Sequence, residues 1–160
     1  METRRDALGG KAIRQRIQIP LTRGPNPILL DLLVYRPSQA TKPVPVFLGL
    51  NFDGNHTVTP ETDVPLARGW VANRPRSGVT NHVANEASRG TDAEAWPIAQ
   101  ILERGYGLAT AYYGDAEADF DAALAIDAGL ADAYLNKGFL RIRSGQGREA
   151  LPLIQKGLDL

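Results

Sequence analysis

Apolar and polar positions alternate over residues 12–21, AIRQRIQIPL. Ile13, Gln15, Ile17, Ile19 and Leu21 fall on one side, and Arg14, Arg16 and Gln18 on the other. That period of two predicts a half-exposed strand. A turn cluster, TRGPNP, separates it from ILLDLLVYRP at 28–37, a second and largely buried strand. The two are expected to pair as an antiparallel hairpin. The nearly continuous apolar run VPVFLGLN at 44–51 reads as a strand covered on both faces. Residues 52–91 carry neither period and make an unusually long connection. Beyond them Thr91 or Asp92 is placed to cap a helix with the apolar face Trp96, Ile98, Ile101 and Leu102, stopped at Gly105. Tyr106–Tyr113 predicts a fourth strand, and strand–helix–strand at this spacing suggests a parallel crossover.

From Ala116 onward only helical periodicity remains. Ala116, Phe120, Ala123 and Leu124 recur 34 positions later as Ala150, Ile154, Gly157 and Leu158, which is the tetratricopeptide period. In that register Tyr134, Gly138, Ala150 and Leu158 take the large aromatic, close-packing glycine, small alanine and leucine positions, and the Ser144 segment RSGQG is a helix–helix turn. Lys137, Arg141 and Ala128 depart from the pattern. The expected architecture is α+β or α/β: a small four-stranded mixed sheet followed by three tetratricopeptide-like helices. The expected division is 1–115 and 116–160, with the two parts packing as one domain if each covers what the other exposes.

Composition supports that division. Ten of eleven prolines precede residue 98; residues 1–114 hold 13 Lys/Arg against 10 Asp/Glu, and residues 115–160 hold 5 against 8. Offsets this mild give no reason to expect a nucleic-acid partner, and Arg4, Arg5, Arg14 and Arg16 read as a solvated end and strand face. No cysteine is present, which removes disulfides, thiolate nucleophiles and thiolate metal ligands. No run has signal-peptide character or membrane-spanning length, so the chain as written is expected in the cytoplasm, away from membranes.

The block PVPVFLGLNFDGNHTV at 43–58, followed by AWPIAQILERGYGLATAYYGDAEADF, resembles the glucuronoyl esterases, carbohydrate esterases of the α/β-hydrolase fold that cleave esters of glucuronic acid in hemicellulose–lignin linkages. NFDGNHT and RGYGLATAYYGD are its most specific words, and GGKAIRQRIQIPLT and ILLDLLVYRP are similar to that family's opening strands. The resemblance runs from about Gly9 to Phe120, roughly the first third of such a domain. The family is usually secreted. The resemblance implies that Asn51, Asp53, Gly54 and Asn55 form a substrate loop after the third strand, where hydrolases build part of the oxyanion hole. Read locally, the same residues are an Asp-Gly turn.

The chain offers no catalytic residues for such an enzyme. Ser38, Ser77, Ser88 and Ser144 are its only serines, and none sits in G-x-S-x-G, the turn an α/β-hydrolase nucleophile occupies. The family's serine lies beyond the point where this chain turns helical. His56 and His82 are the only histidines and read as solvated loop residues, too few for a zinc site. No metal or cofactor is expected. Three functions stay open: an inactive esterase segment with weak carbohydrate affinity through Trp70, Trp96, Tyr112 and Tyr113; a peptide- or protein-binding helical module using Asn136; and a chimeric or mis-annotated chain without evolved function. Leaving the third strand without an outer neighbour also invites self-association.

Overall fold

The computed structural model describes all residues except 22–27, 69–70, 75–76 and 144. The turn expected at TRGPNP, Trp70 and Ser144 lie outside the described residues. Strands β1 (Glu2–Ala7), β2 (Ala12–Leu21), β3 (Ile28–Pro37), β4 (Val46–Asn51) and β5 (Gly107–Tyr112) form one mixed sheet in the order β1-β2-β3-β5-β4. The helices are α1 (Ile98–Glu103), α2 (Tyr113–Ile126), α3 (Ala131–Arg143) and α4 (Gly147–Leu158).

The expected hairpin is present: β2 and β3 pair antiparallel from Ala12↔Pro37 to Leu21↔Ile28. β4 and β5 pair parallel, as the crossover requires. The sheet has five strands, not four. Residues 2–7 carry too many charges to read as a strand, yet they add an antiparallel strand to β2, joined by a turn with Leu8, Gly9 and Gly10 at positive φ. Backbone pairing to an existing edge decides that strand, not side-chain pattern.

The predicted helix begins five or six residues late. Thr91 and Asp92 do not cap it; α1 starts at Ile98, after Pro97. A residue preceding proline avoids the helical region, and Trp96 occupies that position. The predicted stop is correct: Gly105 takes φ +81, its N–H bonds the Leu102 carbonyl, and the Tyr106 N–H bonds that of Ile101, a Schellman ending.

The described residues of 52–97 are irregular apart from 3-10 geometry at Ser77 and at Glu86–Ser88 and an isolated bridge between Thr80 and Val83. They are not a surface loop. Val58 and Val64 join Ala7, Ala12, Leu33, Tyr35, Ile98, Leu102 and Leu108 in the main core. Val71, Val79 and Ala84 build a second cluster with Tyr112 and Tyr113, reached by Leu140 of α3. A buried ionic cluster also fixes this segment. Arg14 is 1% exposed and donates to Glu61 at 3.0 Å and Asp63 at 2.7 Å, while the Tyr35 hydroxyl donates to Glu61 at 2.7 Å. Reading Arg14 as solvated is thereby corrected: its strand face is polar in sequence but covered in the fold, and the two carboxylates replace its water.

The strand at 44–51 was expected to be covered on both faces. It is instead an edge strand, with Val46, Phe47, Leu48 and Leu50 between 48% and 76% exposed. Of the helical tail, α2 runs directly out of β5 and packs on β3 and β5. α3 and α4 form a tight hairpin. A Cβ on Gly138 would lie 2.5 Å from Ile154, and one on Gly157 would lie 2.8 Å from Leu135.

Candidate functional site

Asn51, Asp53, Gly54 and Asn55 lie at the carboxyl end of β4, the side on which parallel strands of α/β sheets present ligand sites. Asn51 is buried at the end of the strand, and its side chain organises the turn. Its Oδ1 accepts from the Gly54 N–H at 2.9 Å, and its Nδ2 donates to Asn55 Oδ1 at 2.7 Å and to Thr110 Oγ1 of β5 at 3.1 Å. Gly54 has φ +102, and a Cβ there would meet the His56 ring at 2.7 Å; only glycine fits. Asn55 spends its Nδ2 on the Asp31 carbonyl at 2.8 Å, tying the loop to β3. Asp53 accepts from Arg74 Nε at 2.7 Å. Burial raises the Asp53 carboxyl, opposed by that arginine. The four residues therefore share one loop, but Asn51 and Gly54 build it from within.

His56 and Ser88, 32 positions apart, meet inside the fold with Nε2 and Oγ 2.8 Å apart. Both are 0% exposed, which corrects the reading of His56 as solvated. The pair has the distance of a nucleophile and its base but the wrong proton. Nδ1 of His56 accepts from the Ala67 N–H at 3.3 Å, so the ring proton sits on Nε2 and is donated to Ser88. The Ser88 hydroxyl donates in turn to the Asn85 carbonyl at 2.5 Å. A serine nucleophile needs the opposite arrangement, its own proton directed at a free imidazole nitrogen. Burial, aided by the nearby Arg89 charge, lowers the His56 pKa to about 4 and keeps the ring neutral. The pair is structural. Sequence reading could not find it, because both residues lie in the segment without periodicity.

Beside this loop opens a cleft of about 420 Å³ lined by Arg16, Asp31, Asn55, Arg68, Tyr112 and Asp115, among others. Oδ1 of Asp31 is buried there without a hydrogen-bond partner. The cleft's lining of guanidinium, carboxyl and amide side chains suits a polar ligand. Of the aromatic residues singled out for carbohydrate, the described ones, Trp96, Tyr112 and Tyr113, do not form one surface. Tyr112 and Tyr113 pack edge-on at 5.2 Å as core residues, while Trp96 covers Gly49 of β4 and lines a separate, apolar cavity. Asn136 is exposed on α3, and its Nδ2 donates to the Asp132 carbonyl one turn back. Among the described residues no group of acidic or histidine side chains could hold a metal ion, and no helix is long and apolar enough to cross a membrane.

The sheet, its loop and its crossover recur in known proteins. The chain is 44% identical over 115 residues to carbohydrate esterase MZ0003 from an unknown prokaryotic organism. The matched part is homologous to carbohydrate esterases. A promiscuous CE15 esterase from a marine bacterial metagenome superposes with a TM-score of 0.65 at 44% identity, and a glucuronoyl esterase from Solibacter usitatus with 0.60 at 41%. These matches take in 71–72% of this chain but only 27–28% of each relative, so the chain spans little more than a quarter of their length. No protein-family model matches it, and nothing in these likenesses assigns the helical tail to the tetratricopeptide repeats.

Proposed function

We propose that this chain is an esterase-derived segment that turns over no ester and retains, at most, weak affinity for hydroxyl-rich or sugar-acid ligands in the cleft beside Asn55. The buried Ser88–His56 pair carries the first half of the reading. This serine–histidine contact is both inaccessible and wrongly protonated for nucleophilic attack. The sequence also holds no serine in the G-x-S-x-G turn that an α/β-hydrolase nucleophile occupies. The cleft carries the second half: Asp31, Asn55 and Arg68 line it with groups that hydrogen-bond hydroxyls and carboxylates, beside Arg16, which pairs with Glu2 at 2.7 Å.

Assays with p-nitrophenyl acetate and with an alkyl ester of glucuronic acid are expected to give rates equal to buffer. Titration of the labelled protein with glucuronate is expected to shift the amides of Asp31 and Asn55 at millimolar concentration, and Asp31→Asn to weaken that response. An ester-hydrolysis burst abolished by Ser88→Ala overturns the first half. Unchanged spectra at high glucuronate overturn the second.

A peptide-binding role for the tail rests on a different observation: Phe139 and Ile142 are 57% and 49% exposed on α3, the helix that carries Asn136.

A further inference from the structure

The outer edge of β4 has none of the features that protect edge strands. Among the described residues no strand pairs with it, and Val46–Asn51 contains no charge, no proline and no bulge, the usual means of blunting an edge. Its hydrogen-bonding register is fixed by its inner neighbour. The Gly107 N–H donates to the Pro45 carbonyl at 2.8 Å, so Pro45, Phe47, Gly49 and Asn51 turn their backbone groups towards β5. Val46, Leu48 and Leu50 then turn theirs outward, because successive residues of a strand present N–H and C=O to opposite sides.

We infer that this edge pairs with β4 of a second copy, antiparallel about a two-fold axis through Leu48, joining two five-stranded sheets into one. In that register Leu48 faces its own equivalent and Val46 faces Leu50, so the three outward residues exchange both bonds with their counterparts. The apolar side chains of Val46, Leu48 and Leu50 form one continuous stripe across the axis. On the opposite face Phe47 comes to lie over Gly49 of the second copy, beside the Trp96 ring that covers that glycine. A large ring opposite a residue without a side chain makes this register self-complementary, and the strand's lack of charge means that nothing repels.

The size of the contact sets its strength. A fully exposed large apolar residue presents on the order of 150–200 Å². Val46, Phe47, Leu48, Leu50 and Phe52 are 43–76% exposed, so pairing covers roughly 900 Å² in all, against about 1,600 Å² for a standard stable interface. The dimer is therefore of the weak, reversible class.

Sedimentation velocity on the full chain between about 1 and 200 μM is expected to show a monomer–dimer equilibrium. Leu48→Lys, which sets two ammonium groups face to face on the axis, is expected to weaken it at least tenfold. Because that variant could also unfold the sheet, a second measurement is independent of it. The chain has no cysteine, and paired residues on antiparallel strands lie about 5.5 Å apart, within disulfide reach. Leu48→Cys is expected to cross-link into dimers under mild oxidation much faster than Arg148→Cys on α4. A monomer throughout the range, open-ended aggregation, or equal cross-linking of the two cysteine variants overturns the inference.

Discussion

His56 shows how one buried group ties stability to pH. Its folded pKa of about 4 lies below the 6.5 of an exposed histidine, so between those values the unfolded chain holds a proton that the folded chain refuses. The contribution is whole above pH 6.5 and is lost as the pH falls towards 4. The shift corresponds to at most about 3 kcal/mol. Urea unfolding is expected to show stability declining from pH 7 to pH 4.5 with uptake of about one proton, and His56→Gln is expected to flatten that slope. Asp53, raised by burial, works in the opposite sense, whereas Asp63, held well below the usual carboxylate range by Arg14, adds to the loss only in stronger acid. A slope unchanged in His56→Gln would show that another group titrates.

At the scale of elements, the helical hairpin depends on two glycines more than on its apolar surface. Leu151 and Leu158 of α4 are each 69% exposed, so burial holds the pair only weakly. Close backbone approach at Gly138 and Gly157 supplies the rest. Gly138→Ala forces a methyl against Ile154, and although alanine favours the helix by about 1 kcal/mol, overpacking costs about 1–3 kcal/mol. The net expectation is a lower melting temperature for the helical signal in circular dichroism. A rise in that temperature would mean that the hairpin opens without penalty and does not depend on this contact. The long segment at 52–97 shows the converse behaviour. Glu61 and Asp63 tie it to the sheet by accepting from Arg14, Arg4, Tyr35 and the Leu8 N–H, partners spread over β1, β2, β3 and the first turn.

Across the whole molecule, packing is uneven. The strands share the main core with α1 and the long segment. In the second cluster, by contrast, the tail's partner to the sheet-side residues is Leu140. Local opening follows local burial, so amides of β2, β3 and β5 are expected to exchange at least tenfold more slowly than those of α3 and α4. Equal protection would show the tail and sheet opening as one unit, the arrangement in which each incomplete half covers the other. The structure leaves much of both halves uncovered: the open side of β4 at Leu48 and the outer face of α4 at Leu151.

The hairpin, the parallel crossover, the Gly105 stop and the helical tail were legible in the sequence, because each follows from side-chain period or from the backbone freedom of a single residue. So was the esterase likeness, which rests on short contiguous words such as NFDGNHT. Tertiary structure alone decided three things. It made a strand of the charged residues 2–7 by offering them the edge of β2. It buried Arg14 and His56, two polar residues whose side-chain partners Ser88, Glu61 and Asp63 stand 32 to 49 positions away, beyond any local pattern. It also exposed β4, whose apolar run specifies a strand wanting cover on both faces but cannot specify whether a neighbour exists. Period reports which face of an element seeks burial; only the assembled chain shows what, if anything, arrives to bury it.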